Sequence, residues 1–380
     1  MPFGHALLDE FLLDPTFAYL NHGGYGVTPR AVLAAQRQWQ EALEREPTRF
    51  QETERADALD AALRRVAPFV GASPRDLVFV HNATTAANAV LFSLALRPED
   101  EVVVLDHGYP SVRRAAGVWA ERAGARVVTA ALPQPLVDSG QVVDALRDAL
   151  GPRTRLVIVD HVTSATALIL PVARIAAMCR ERGVPVFVDG AHAPGHLALD
   201  IEALRVDFYT GNLHKWAFAP KTCAVLWAAP QHQETLRHPV VSYAADTWRG
   251  AFHWPGTNDP SAWLASTAAL DFLDHLGPAA VRAHNHDLAD AAAEALSARW
   301  GTDRPFPRAM HGAMVALHPP GTPDATPETV QRLRASLRDE RIEVPIFAHS
   351  GRLWVRIAAQ VYNEPDDYDR LGEALERLLA

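Results

Sequence analysis

The chain has 380 residues, 48% of them apolar, with 36 basic against 45 acidic side chains and a formal charge of −9. That length supplies a large core and predicts two or three domains, while the acidic balance excludes the concentrated basic face a nucleic-acid backbone requires. Cys179 and Cys223 are its two cysteines, so no disulfide framework or metal spacing exists, and no apolar run reaches membrane-spanning length.

The opening MPFGHALLDEFLLD lacks a basic region and sets Asp9 and Glu10 inside its apolar stretch, unlike a signal peptide, so cytoplasmic residence is expected. FAYLNHGGYGVTPRAV breaks into a tight loop at Gly23, Gly24 and Gly26, after which Thr28 and Pro29 read as a helix start. Val32, Trp39 and Leu43 share one helical face, and Leu59, Leu63 and Val66 another, so residues 30–70 read as two amphipathic helices with packing roles only. In DLVFVHNATTAANAV a strand over Leu77–Val80 enters a helix whose first turn holds Ala83, Thr84 and Thr85. Unpaired amides, the positive end of the helix dipole and two hydroxyls there suit a phosphate. Two further buried strands follow, Val102–Leu105 before DHGYPSV and Leu156–Val159 before DHVTSATALILPV.

The most informative stretch is Gly183–Lys221. Its β-branched run Val184–Val188 suits a strand buried on both faces and stops at Asp189. A second run, Asp207–Thr210, leads through Gly211 and Asn212 to His214 and Lys215. Carboxyl ends of parallel strands border the ligand crevice of open α/β sheets. A lysine and a carboxylate placed there suit pyridoxal phosphate, whose aldehyde forms a Schiff base with lysine and whose ring nitrogen pairs with an acid. Lys215 and Lys221 are the only lysines.

Thr222–Ala229 reads as a strand returning beside the lysine strand, followed from Ala262 by a long alanine-rich helical segment. Strand-like AMVALH, a polar helix over Glu328–Arg338, a strand pair at Ile342–Val344 and Leu353–Ile357, and a last helix read as a separate α+β layer. Arg356 lies on that final strand, with a guanidinium fork that fits a carboxylate bidentately.

FVDGAHAPG and GNLHKW, in that order, resemble the aspartate and lysine motifs of the class V aminotransferase family of fold type I pyridoxal phosphate enzymes, and within it the isopenicillin N epimerase-like group. The resemblance covers nearly the whole chain. It implies an α/β fold with a mostly parallel seven-stranded sheet and a smaller C-terminal α+β domain, divided as an entrance segment 1–27, a large cofactor domain 28–261 and a small domain 262–380. It implies Lys215, Asp189 and Tyr109 as catalytic residues, with Tyr109, or alternatively His107, stacked on the ring. Ala83, Thr84, Thr85, Thr163, Ser164, His192, Asn212 and His214 would complete the cofactor site. Gly256 and Thr257 would reach the phosphate of a second subunit, making a homodimer with shared sites. Asn21, His22, Tyr25 and Arg356 would receive the substrate. The activity so implied begins with proton removal at Cα of an amino acid, giving an epimerase or racemase, with a C–S or other β-lyase, an aminotransferase and an inactive relative as alternatives. A desulfurase that takes sulfur on a mobile cysteine is disfavoured, because no cysteine follows Cys223.

Overall fold

Alternation along the central strands decides where the core sits. A computed structural model of the chain describes residues 3–321 and 323–380. In chain order its strands are β1 (Ala18–Tyr19), β2 (Leu77–Val80), β3 (Glu101–Leu105), β4 (Arg126–Ala130), β5 (Thr154–Asp160), β6 (Val186–Asp189), β7 (Phe208–Asn212), β8 (Ala224–Ala228), β9 (Met314–Leu317), β10 (Ile342–Glu343), β11 (Ile346–His349) and β12 (Arg352–Ala358). Seven form one sheet in the order β2-β8-β7-β6-β5-β3-β4, in which β8 alone runs against its neighbours. This is the mostly parallel sheet expected from the sequence.

Successive strand residues point to opposite faces. Val157 and Val159 of β5, and Val186 and Val188 of β6, join the core that contains Leu63 and Val66 of helix Arg55–Val70. Leu156, Ile158 and Phe187 join the opposite core with Ala86 and Val90 of helix Ala83–Ser93. Both faces are therefore covered, giving an α/β/α sandwich, and each large apolar side chain so buried contributes about 1.5–3 kcal/mol.

The segment from Ala262 is not one helix. Gly277, at φ +81°, and Pro278 separate Ser266–Leu276 from Pro278–Trp300, and Ser261–Leu264 forms a short turn before them. Leu270, Leu273 and Leu276 pack into the large core, so residue 262 falls within a segment that serves that core. The second core takes over from Leu288, joining Leu333, Leu337, Val355, Ile357 and Leu371.

The expected pairing of residues 342–344 with 353–357 is corrected. β10 pairs in parallel with β1, and β12 instead pairs with β11 and β9. Gly351, at φ +72°, allows the tight turn between β11 and β12. No helix among the described residues is long and apolar enough to cross a membrane.

Candidate active site

β6 and β7 end side by side, with Asp189 opposite Thr210 in the parallel register. Lys215 follows β7 by three residues. Gly195, at φ +87°, lets the segment after Asp189 lie against the backbone of Trp216, where a Cβ would overlap the Trp216 carbonyl oxygen. Gly26, at φ +68°, allows the N-terminal loop the same approach to His214. Between these segments lies a cavity of about 200 Å³ lined by Tyr109, Asp189, His192, Asn212, His214 and Lys215, among others.

The hydrogen bonds fix the tautomer of the histidine beside the lysine. Trp216 Nε1, a donor only, lies 3.4 Å from His192 Nδ1, so Nδ1 accepts and a neutral His192 carries its proton on Nε2. His192 is neutral because burial, and then the Lys215 charge, hold its pKa well below the ordinary value. His192 Nε2 in turn meets Lys215 Nζ at 3.2 Å, so the imidazole N–H has an acceptor there once the amine is uncharged. Burial, followed by the Arg356 charge, lowers the Lys215 pKa to about 8.

Asp189 Oδ1 accepts from the Ala191 amide at 3.0 Å, and Oδ2 is buried with no hydrogen-bond partner among the described residues. An open buried acceptor costs about 1–3 kcal/mol, so this oxygen calls for a donor. A protonated pyridine nitrogen supplies one, and the His192 N–H supplies a donor for a phenolic oxygen. The residues therefore fit pyridoxal phosphate.

At the other end of the cavity the helix start is already partly occupied. Asn82 Oδ1 caps it by accepting from the Thr85 amide at 2.9 Å and the Thr85 hydroxyl at 3.2 Å. The Ala83 amide donates to Asn212 Oδ1 at 2.9 Å. Thr84 faces the cavity, whereas Thr85 lines the neighbouring one. His214 Nδ1 donates to the Cys223 carbonyl at 2.9 Å, leaving Nε2 for a ligand.

The expected substrate residues divide. Tyr25 and Ser164 line the cavity, and Tyr25 is exposed at its mouth. Arg356 and Asn21 lie behind this lining, with Arg356 donating to the Ser164 carbonyl and, at 3.2 Å, to Asn21 Oδ1. Arg356 Nε is buried without a partner among the described residues. His22 is buried beneath Lys215 and is not part of the lining. Thr163 is also fully buried, its hydroxyl accepting from the Leu168 amide at 2.8 Å.

Gly256 and Thr257 line a separate cavity of about 720 Å³ that shares Asn82 and Thr84 with the first. The larger space lacks the lysine and the carboxylate, so the chemistry belongs to the smaller one. Arg55, within helix residues read as packing only, grips this loop. It donates to the His253 carbonyl and Asn258 Oδ1 at 2.6 Å each, and lies 4.8 Å from the Trp254 ring centroid. A second residue missed by the sequence reading is Asp160, which ends β5 and lines the cavity. Its signal was present, since LVIVD ends as VFVD does.

The family model described as Aminotransferase class-V matches residues 18–316. A probable chloroplastic L-cysteine desulfhydrase of Arabidopsis thaliana is 34% identical, with 96% of this chain and 84% of that protein covered. The isopenicillin N epimerase of Streptomyces clavuligerus is 35% identical, with 97% and 96% covered. Among solved structures, a variant of C-DES with glycine covalently linked to its pyridoxal phosphate cofactor superposes with a TM-score of 0.79 at 22% identity, covering 94% of this chain and 96% of that one.

Proposed function

The chain belongs to the class V aminotransferase family of pyridoxal phosphate enzymes, and on that premise we propose that it removes the α-proton of an amino acid and returns a proton from the opposite side, as an epimerase or racemase. The observation that carries this reading is the placement of two proton-bearing side chains around one cavity. Lys215 follows β7 and Tyr109 follows β3, three places away in the sheet, and both line the cavity, which supports assigning one of them to each side of Cα.

Pyridoxal phosphate, when bound, supplies the electron sink for the pair left at Cα. Asp189 would hold the ring nitrogen, His192 would donate to the phenolic oxygen, and Thr84 and His214 would hold the phosphate. Arg356 receives the substrate carboxylate, turning from the Ser164 carbonyl and offering its open Nε. Lys215, uncharged, takes the proton at Cα, and the Tyr109 hydroxyl serves the other side.

A lyase is the second reading, favoured by relatives named L-cysteine desulfhydrase at 34% and 32% identity. A persulfide-forming desulfurase is not supported. Cys179 and Cys223 are both buried, and burial raises both thiol pKa values, that of Cys179 to about 12.

The same proposal includes a cytoplasmic homodimer. Val240, Val241 and Tyr243 are exposed, and Val240 lines the cavity that holds Gly256 and Thr257. Such an apolar surface beside a cofactor site fits a second copy of the chain.

Incubation with a panel of L- and D-amino acids in deuterated water tests the reaction. An epimerase exchanges the α-hydrogen and yields both configurations from one. Release of pyruvate, ammonia and sulfide from cysteine identifies the lyase, and keto acid with the cofactor left in its amine form identifies an aminotransferase.

A further inference from the structure

β5 and β6 end in carboxylates that are direct partners in the parallel register, Asp160 opposite Asp189. By alternation both lie on the same face of the sheet as Ile158 and Phe187, beneath the helix that starts at Ala83. Parallel neighbours are about 4.8 Å apart, and each of these residues is only 3% exposed. Both line the cavity. Two carboxylates in one dry site cannot both ionise without a large penalty.

The groups around Asp160 determine where a proton resides. From β6 it faces Asp189, and from the segment after β7, Lys215. From the segment after β3 the Tyr109 amide donates to Asp160 Oδ1 at 3.4 Å, and the Ser164 amide approaches from its own strand's continuation. The adjacent His161 points to the other face, where its Nδ1 meets the Tyr209 hydroxyl at 2.8 Å. Asp160 thus lacks an ion-pair partner within salt-bridge distance among the described residues, while Asp189 Oδ2 is an open acceptor.

We propose that Asp160 is a positioning residue that stays protonated in the working enzyme and donates its O–H to Asp189, fixing that carboxylate as the single anion under the cofactor ring. One negative charge then matches one pyridinium. The Tyr109 amide bond also ties the position of Tyr109 to the same carboxyl group. Burial, and next the charge of Asp189, raise the Asp160 pKa well above the ordinary value, which supports the assignment. The inference rests on Asp189 being the partner of the ring nitrogen.

Infrared difference spectroscopy of the holoenzyme at pH 7 tests it without measuring activity. The expected result is a C=O stretch of a neutral buried carboxylic acid in the wild type, shifted by exchange into deuterated water and missing from Asp160→Asn. Asparagine keeps an acceptor for the Tyr109 amide and an N–H for Asp189, so a structural role alone would leave the spectrum of the other carboxyls unmoved. Absence of the band in the wild type, or its persistence in Asp160→Asn, overturns the proposal. Should Asp160→Asn fail to fold, Asp160→Ser, whose hydroxyl also donates to Asp189, takes its place, and persistence of the band there overturns the proposal. Failure of the underlying assignment is seen separately, as an Asp189→Asn holoenzyme whose visible cofactor spectrum is unchanged.

Discussion

His22 Nε2 donates to the backbone carbonyl of Lys215 at 2.9 Å, while its Nδ1 accepts from the Tyr362 hydroxyl at the same distance. The carbonyl has no proton, so the tautomer is fixed. Expected to touch substrate, His22 instead braces the backbone that carries the amine. His22→Ala opens that carbonyl and leaves a void, and should lower unfolding free energy by about 2–4 kcal/mol. Urea unfolding measures this, and the cofactor's visible absorbance should be lost at lower urea than in the wild type. Unchanged stability would remove His22 from this role.

The Trp216–His192–Lys215 chain predicts how capture of the cofactor depends on pH. Only an uncharged amine attacks the aldehyde. With a Lys215 pKa of about 8, the rate of covalent capture should rise about tenfold per pH unit below that value and level above it. Arg356→Ala removes a positive charge that lowers this pKa, so its midpoint should move upward. Borohydride trapping at fixed times gives the profile, and label found on Lys221 would refute the assignment of Lys215.

Much of this site was legible because an apolar run that ends in one ionisable residue marks both the strand and its carboxyl end. VFVD carried that signal, and GNLHKW carried its lysine three residues past a strand end. Pairing did not, since a two-residue strand such as β1 has no periodicity to announce β10 as its neighbour. The Asp160–Asp189 register was hidden because the pairing of two strands leaves no mark in either one, although each strand was visible alone. Thr85 resembled a phosphate donor because sequence shows a hydroxyl at a helix start without showing that Asn82 already holds it. Arg55 was passed over because helical periodicity reveals apolar faces, and its partners lie on a loop distant in sequence.

His214 predicts a proton count. Its Nδ1–H is committed to the Cys223 carbonyl, and burial holds its pKa at about 4, so at neutral pH Nε2 presents a lone pair to the cavity. A phosphate there favours protonation of that nitrogen. Calorimetry in buffers of different ionisation enthalpy should show a proton uptake on binding pyridoxal phosphate that is smaller, by up to one proton, in His214→Gln. Pyridoxal without phosphate should show no such difference between the two proteins.

The proposed sharing of sites between two subunits predicts complementation. Lys215→Ala and Thr257→Ala subunits, each inactive alone, should regain part of the wild-type activity when mixed, because one of the two hybrid sites keeps both residues. No recovery from demonstrated heterodimers would count against the contribution of Thr257 in trans. Arg55→Lys loses the forked grip on Asn258 and the His253 carbonyl. It should weaken cofactor retention, read by dialysis and absorbance.

Buried histidines set the acid limit of the fold. Burial lowers the pKa of His22 and His196 to about 3, and that of His161 to about 4, from an ordinary value of 6.5. Below pH 6.5 the unfolded chain binds protons that the folded chain refuses, so stability is complete above that pH and is lost as pH falls toward 3–4. Each such residue contributes a slope of up to about 1.4 kcal/mol per pH unit. His196 shows the structural cause. Its Nδ1 donates to the His192 carbonyl at 3.1 Å and its Nε2 accepts from the Ala313 amide at 2.7 Å, joining the active-site segment to the strand region of the second core. A protonated imidazole has no acceptor, so acid must break the Ala313 contact. His196→Gln cannot take up that proton, and should therefore be less stable at pH 7 yet lose less stability per pH unit between 6.5 and 4. Urea midpoints measured at several pH values across this window give both slopes, and equal slopes in the two proteins would show that His196 does not carry the linkage.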